Sequence, residues 1–324
     1  MCRFFILITT LFLPAQLLLA QSADSIVSSR YHELSASWDN DALMNTDYYY
    51  TQGLMVQLVL PGMVKNPLNR LFFKIHNAVN YYGIAVSQEM YTPADIQDSL
   101  IIPNDRPYAG VLYLRSLKVS NDEEKKIKLT SQLDLGFVGP YSGAGYTQKA
   151  IHELNGLIPP NGWAFQLQNM PYINYNVLLE KGMSKKRDFL EVLYSAGARI
   201  GTVYDDIQTG LKLRGGFLNS YFSGVTAQDM SLPNHKNILA YLYGGVNGKV
   251  VLYNALLVGS IFHSGDPHVL NYSELSHFIG SCNAGFFIGY WGIGAKFEFN
   301  GQTPEFKGGQ YHGWFTTAAV ISFY

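Results

Sequence analysis

Charge is scarce in this chain: 15% of its 324 residues are Asp, Glu, Lys or Arg, against roughly a quarter in ordinary soluble domains. The 23 basic and 24 acidic side chains leave a formal net charge of −1, which offers no counterion-releasing surface for nucleic acid. Cysteine is sparse too. Cys2 falls in an N-terminal leader and Cys282 stands alone, so the mature chain has no intramolecular disulfide even in a compartment that would allow one. Beyond the leader no run of about eighteen apolar residues occurs, which excludes helical membrane spans. The usual catalytic signatures are missing as well. Ser142, in Gly139-Pro140-Tyr141-Ser142-Gly143, has the wrong spacing for G-x-S-x-G, His152-Glu153 is followed by Leu154, Asn155 and Gly156 instead of a second zinc-binding histidine, and there is no P-loop.

What the sequence does contain is apolar and aromatic material: 48% hydrophobic residues, 23 tyrosines and 31 glycines, a composition that is not disordered. Residues 1–20 read as a secretory signal peptide, with Arg3, an apolar run from Phe4 to Leu13 and a small residue at Ala20. Ala23 is a second possible cleavage site. The mature chain then begins near Gln21 and is bound for the periplasm, the outer membrane or beyond.

Past the leader the hydrophobic period is two. Ile127, Leu129, Leu133, Leu135 and Phe137 alternate with Lys128, Thr130, Gln132, Asp134 and Gly136, and the same pattern runs through Leu190 to Ile200 and Ile207 to Arg214. A soluble sandwich would turn the apolar row to a core; a membrane barrel turns it to lipid. Three features favour the barrel. The segments run on the order of ten to fifteen residues, longer than soluble strands and matched to a tilted bilayer crossing. Aromatic residues gather at segment ends, as in Tyr48-Tyr49-Tyr50, Tyr81-Tyr82, Tyr241 with Tyr243, and Tyr290-Trp291, where interfacial girdles are expected. The chain stops on Val320-Ile321-Ser322-Phe323-Tyr324, similar to the C-terminal signature of bacterial outer-membrane barrels, which implies the barrel-assembly machinery as a partner.

The expected fold class is therefore all-β: a transmembrane antiparallel β-barrel of about twelve strands over residues 21–324, with short helical segments in loops. The strands are expected near Tyr31–Trp38, Tyr49–Leu60, Asn80–Tyr91, Tyr108–Ser120, Lys126–Val138, Pro171–Lys181, Arg187–Gly201, Asp206–Phe217, Asn237–Tyr253, Leu275–Tyr290, Gly292–Phe306 and His312–Tyr324. With both termini in the periplasm, every connection after an odd-numbered strand faces outward. Outside connections come out long and inside turns short, with two exceptions. Pro61–Val79, with a short helix expected near Asn69–His76, and Leu218–Lys236 are long inside connections that this scheme does not explain.

Polar clusters collect at the outside ends of the early strands: Asp39-Asn40-Asp41, Asn45-Thr46-Asp47 with Thr51 and Gly53, Asn104-Asp105-Arg106-Pro107-Tyr108-Ala109-Gly110, and His152. Taken singly, each has an ordinary explanation. Asp-Asn-Asp makes an Asx turn, Asp105-Arg106 a surface or lumenal ion pair, and a single loop histidine is more often solvated than catalytic.

Together they resemble the lipid A 3'-O-deacylases of Gram-negative outer membranes, twelve-stranded barrels that remove acyl chains from lipopolysaccharide. The similarity runs through nearly the whole mature chain. It is carried by Trp38-Asp39-Asn40-Asp41, Thr46 to Leu54, Asp105 to Gly110, Gly136-Phe137-Val138-Gly139-Pro140 leading to His152 and Gly156, then Gly162-Trp163 and Gln166. The resemblance implies that His152 is the general base activating a water, that Asn40, Asp41 and Thr51 build the adjoining polar site, that Asp105 and Arg106 belong with them among the catalytic residues, and that Ca2+ is required. Asp41 suits a hard, oxygen-seeking cation. The glutamate that usually follows the histidine in this family is missing from Glu153-Leu154-Asn155-Gly156-Leu157-Ile158. Glu153 is the candidate replacement ligand, although neighbouring helical side chains diverge by about 100°. The implied substrate is lipid A of the outer leaflet, with Leu154, Leu157, Ile158, Trp163 and Phe165 available to cover acyl chains or to pack the rim. The inward charges Lys128, Asp134, Arg199, Lys212 and Arg214 leave a channel, or a structural barrel without catalysis, as the alternative.

Overall fold

The computed structural model describes residues 32–183, 189–226 and 237–323; the leader with its cleavage site, Tyr31 and Tyr324 lie outside the described residues. Twelve strands form, β1 His32–Asn40, β2 Tyr49–Val59, β3 Val79–Thr92, β4 Ala109–Asp122, β5 Ile127–Val138, β6 Met170–Gly182, β7 Leu190–Gly201, β8 Tyr204–Phe217, β9 Ile238–Asn254, β10 Phe278–Tyr290, β11 Ile293–Gln302 and β12 His312–Phe323. Each pairs antiparallel with its neighbours in the chain, and β1 closes on β12 from His32 opposite Phe323 to Asn40 opposite Phe315. No edge remains, the condition for strands to sit in hydrocarbon. The largest shift from expectation is at β11, which ends at Gln302, just before Thr303-Pro304; proline cannot donate to the ladder.

The alternation resolves as a reversed core. Leu34, Val56, Val86, Leu114, Leu135, Leu211 and Leu242 are exposed on the outer wall, while Glu33, Lys128, Asp134, Asn174, Asp206 and Arg214 are buried in the lumen. Several lumenal charges are paired: Arg115 donates to Asp134 at 2.6 Å, Arg214 to Glu191 at 2.6 Å and Lys296 to Glu298 at 3.2 Å. The aromatic groups behave differently from the expected girdles. Tyr290 and Trp291 are exposed, at 62% and 68%, but Tyr49, Tyr81, Tyr241 and Tyr243 are buried. A lumen of this width has to be filled with bulk, and tyrosine supplies it with a hydroxyl for the lumenal polar groups: Tyr113 donates to Glu89 at 2.9 Å.

Both long inside connections have structural work. Residues 218–226 enter the lumen and narrow it: Tyr221 donates to Glu180 at 2.6 Å, the Asn121 amide donates to the Gly224 carbonyl at 2.8 Å, and the Thr226 amide donates to Glu33 at 3.0 Å. The rest of that connection, 227–236, lies outside the described residues. The other, 61–78, forms 3-10 turns at Pro61–Lys65 and Pro67–Leu71, earlier than the helix expected near Asn69–His76. Pro61 and Pro67 occupy first-turn positions, where a missing N–H costs nothing. This segment lies on the outer face of the barrel, where Tyr175 donates to the Leu71 carbonyl at 2.7 Å.

Candidate active site

Three connections at one end of the barrel build one cleft: 41–48, 139–169, and 93–108, which contributes Ala94, Asp95, Ile96 and Gln97. The first is 41–48, between β1 and β2. On β1 the alternation turns Asp39 inward, where it accepts from Tyr50 at 2.7 Å, and Asn40 toward the outer wall beside the exposed Trp38. A β-bulge follows on β2: Tyr50 pairs with Tyr91 and Gln52 with Met90, so Thr51 is the extra residue. Bulges re-aim side chains beside functional sites, and this one leaves the Thr51 hydroxyl buried without a hydrogen-bond partner. Asn40 spans the hairpin, its amide donating to the Thr51 carbonyl at 3.1 Å and its oxygen accepting from the Ala42 N–H at 2.7 Å.

The histidine arrives from 139–169. Helix α1, Ala144–Asn155, is launched after Gly143 and ends on Gly156, both in left-handed conformations that favour glycine. Its buried face carries Ala144, Gln148 and His152, spaced four apart and therefore stacked. The helix can reach the first hairpin because it crosses β4 at Gly110, where a Cβ would stand 2.2 Å from the Ser142 hydroxyl and 2.4 Å from Ala144. The same logic applies at Gly162, where a Cβ would strike the Tyr108 ring at 2.3 Å. Trp163 packs on that ring at 5.1 Å between centroids.

His152 is 5% exposed. Its Nδ1 faces the Ile158 carbonyl, which can only accept, so Nδ1 carries the hydrogen and Nε2 is the basic nitrogen. Nε2 lies 3.2 Å from Asp47 Oδ2. Two lone pairs cannot face each other at that distance, so the pair shares a proton. Asp47 is held in turn: Gln148 donates to Oδ1 at 3.2 Å and accepts from Trp163 Nε1 at 2.7 Å. Burial raises the Asp47 carboxyl and the facing imidazole draws it back down. Burial also pushes Asp41 up to about 8, against hydrogen bonds from the Thr46 hydroxyl at 2.8 Å and the Tyr48 N–H at 3.1 Å.

Asn40, Asp41, Thr51 and His152 thus line one cleft of about 860 Å³, with Asp47 and Gln148 beside them and Leu157 and Ile158 on its margin. It opens along the outer wall, on the side of Trp38 and Asn40, instead of into the lumen. Other expected residues stand elsewhere. Asp105 accepts from the Ala94 and Arg106 amides at 2.7 Å each. Arg106 is paired with Glu305 at 2.9 Å and stacked over Tyr91 at 4.5 Å, and the Asp105 carbonyl faces His268 Nε2 at 2.7 Å. Neither Asp105 nor Arg106 lines the cleft; they fasten three extracellular connections to one another. Glu153 is exposed and off the cleft, because it sits a hundred degrees around α1 from His152. Leu154 is 86% exposed, and Trp163 belongs to the rim packing.

The donor set suits a hard cation in type: the Asp41 and Asp47 carboxylates, the unpartnered Thr51 hydroxyl and nearby carbonyls are all oxygen. Among the described residues no cluster of three or more His, Cys, Asp or Glu forms, so a cation here takes backbone oxygens and water for much of its shell.

A family model described as outer membrane protein LpxR matches residues 4–322. The chain belongs to the LpxR outer-membrane protein family. A solved structure, LpxR from Salmonella typhimurium, is 16% identical, with a TM-score of 0.71 over 89% of this chain and 99% of that one; at that identity the likeness establishes the shared barrel fold. The beta domain of the Bordetella autotransporter BrkA, 10% identical over 90% of this chain and 97% of that one, has a TM-score of 0.42. The Pseudomonas putida toluene transporter TodX, 11% identical over 94% and 92%, has 0.33. Both scores are too low to carry an argument. Comparison with curated protein sequences finds no match. Family membership makes this an outer-membrane barrel. Asp47 and Gln148, which hold the histidine in the cleft, escaped the list of site residues drawn from sequence. Gln148 had a usable signal, since it precedes His152 by one helical turn.

Proposed function

We propose that this barrel hydrolyses an acyl ester of lipid A, removing the 3'-linked acyloxyacyl group with His152 as general base and Ca2+ as cofactor. The observation that carries the reading is the position of the cleft: Asn40, Asp41, Thr51 and His152 converge on the outer wall at the extracellular end, the level of the outer-leaflet headgroups. A lumenal site would be closed to a membrane lipid.

When the Asp47 hydroxyl turns off Nε2 of His152, whose one lone pair it otherwise occupies, Nε2 accepts a proton from a water in the cleft. The water oxygen bonds to the ester carbonyl carbon, the carbon–oxygen bond to the sugar side breaks, and the imidazolium returns its proton to the departing alkoxide. Products are a free carboxylic acid and an alcohol, with no acyl-enzyme. The Thr51 hydroxyl is free to donate to the oxyanion. Gln148 and the Ile158 carbonyl fix the two ends of the Asp47–His152 pair. Asp41 and the Thr51 hydroxyl would hold a Ca2+ here, and the ion would supply positive charge for the developing oxyanion. Leu157 and Ile158 offer the acyl chain an apolar margin.

The channel alternative requires an open lumen, and here paired charges and residues 218–226 occupy much of its width. The deciding experiment is mass spectrometry of lipid A from cells expressing the wild-type chain or His152→Ala, repeated on purified protein with Ca2+ or a chelator. Loss of one acyloxyacyl unit only with intact His152 and Ca2+ supports the proposal. Unchanged lipid A with a folded wild-type barrel refutes it.

A further inference from the structure

A second site lies at the opposite end of the barrel and on the opposite leaflet. On β3 and β4 the outward positions nearest the periplasm are polar: Asn80 and Tyr82 on β3, and Ser116, Lys118 and Ser120 on β4. These face the hydrocarbon side, where the strands elsewhere carry Val86 and Leu114. The connection 61–78 folds back over them. Asn66 donates to the Ser116 hydroxyl at 3.5 Å, and the Ile75 N–H donates to the Ser120 hydroxyl at 3.1 Å.

Between segment and wall remains a pocket of about 540 Å³ into which Lys65, Arg70, Lys74 and Lys118 converge, with no carboxylate among its lining residues. Lys118 is only 5% exposed. Its ammonium lies 5.8 Å from the Tyr82 ring, and among the described residues it makes no ion pair. A buried ammonium without a counter-ion is costly, and an external anion would relieve that cost. Beyond the pocket toward the membrane centre, the outward row becomes apolar through Ile84, Val86 and Leu114.

We propose that this pocket binds the phosphate headgroup of an anionic phospholipid of the periplasmic leaflet, its acyl chains lying along Ile84, Val86 and Leu114. Four cations with no carboxylate favour a net anionic headgroup over a zwitterionic one, whose ammonium would find only repulsion. The site shares no residue with the extracellular cleft and does not depend on its chemistry.

The test is native mass spectrometry of the purified full-length barrel with phosphatidylglycerol, phosphatidylethanolamine or inorganic phosphate. Wild-type protein is expected to retain one phosphatidylglycerol. Lys118→Met, and separately the triple variant Lys65→Gln/Arg70→Gln/Lys74→Gln, should weaken retention on the order of tenfold or more, with unchanged heat-modifiable migration on gels. The triple variant alters only the covering segment, so it decides the matter if Lys118→Met does not fold. Equal retention by wild type and the triple variant overturns the proposal, as does equal retention of phosphatidylethanolamine. Displacement of the lipid by an equimolar amount of inorganic phosphate would reassign the pocket to the free ion.

Discussion

At the scale of single residues, the extracellular cleft depends on one proton and on the groups that place it. Replacing His152 with glutamine keeps a polar side chain of similar reach and removes the base. Deacylation should fall by about a hundredfold to ten-thousandfold, followed as released fatty acid, while the barrel stays heat-modifiable. Gln148→Ala frees Asp47 Oδ1 from its donor without touching the imidazole. A supporting residue of this kind is expected to cost about ten- to a hundredfold in activity, and Trp163→Phe, which keeps the ring packing and loses only the Nε1 donor to Gln148, should cost less. Asp41→Asn removes the buried carboxylate that a cation would use. Its activity should need a higher Ca2+ concentration than wild type, read from titrations after chelation. Asn40, Asp41, Thr51 and His152 were legible in the sequence because they sit in motifs. Gln148 was recoverable only from helical spacing, and the pairing of Asp47 with His152 joins residues 105 apart in sequence number.

At the scale of elements, strand parity assigned each connection to a side, and close approach decided how α1 reaches the hairpin. Gly110→Val inserts a β-branched side chain where even a Cβ would overlap Ser142 and Ala144. The helix must lift, so activity should be lost while the barrel assembles normally, a combination that protease sensitivity confined to 139–169 would reveal. Arg106→Met leaves Glu305 in a partly buried setting without its cation. Breaking such a pair costs about 3–5 kcal/mol, and that loss should appear as earlier cleavage in the extracellular connections under limited proteolysis, with His152 itself still in place. The sequence suggested catalysis for Asp105 and Arg106 because their motif travels with the site. Their hydrogen bonds show fastening, which adjacency in a motif cannot distinguish from chemistry.

At the scale of the whole molecule, the barrel is polar inside and apolar outside, and its lumen is narrowed from within. Paired lumenal charges and the segment 218–226 narrow the passage through the barrel. Reconstituted in planar bilayers, the protein should give no steady conductance; open steps of porin size would restore the channel reading. The two lipid-facing sites then lie in different leaflets, the cleft at the extracellular rim and the cationic pocket at the periplasmic end.

The sequence by itself determined the architecture, because a period of two sustained over strands long enough to cross a bilayer fits only a closed barrel, and parity follows from an even count. Local motifs likewise marked four of the cleft residues. Only the tertiary structure decided the rest. Whether a tyrosine belongs to a girdle or to the lumen depends on which way its strand is turned. Whether a long inside connection is idle, narrows the lumen or shields a buried lysine depends on what it packs against. Glu153 and Asp47 are both acids near candidate residues in the sequence, yet only Asp47 meets the histidine. That meeting is set by the crossing of α1 over Gly110, a contact between segments that no local pattern encodes.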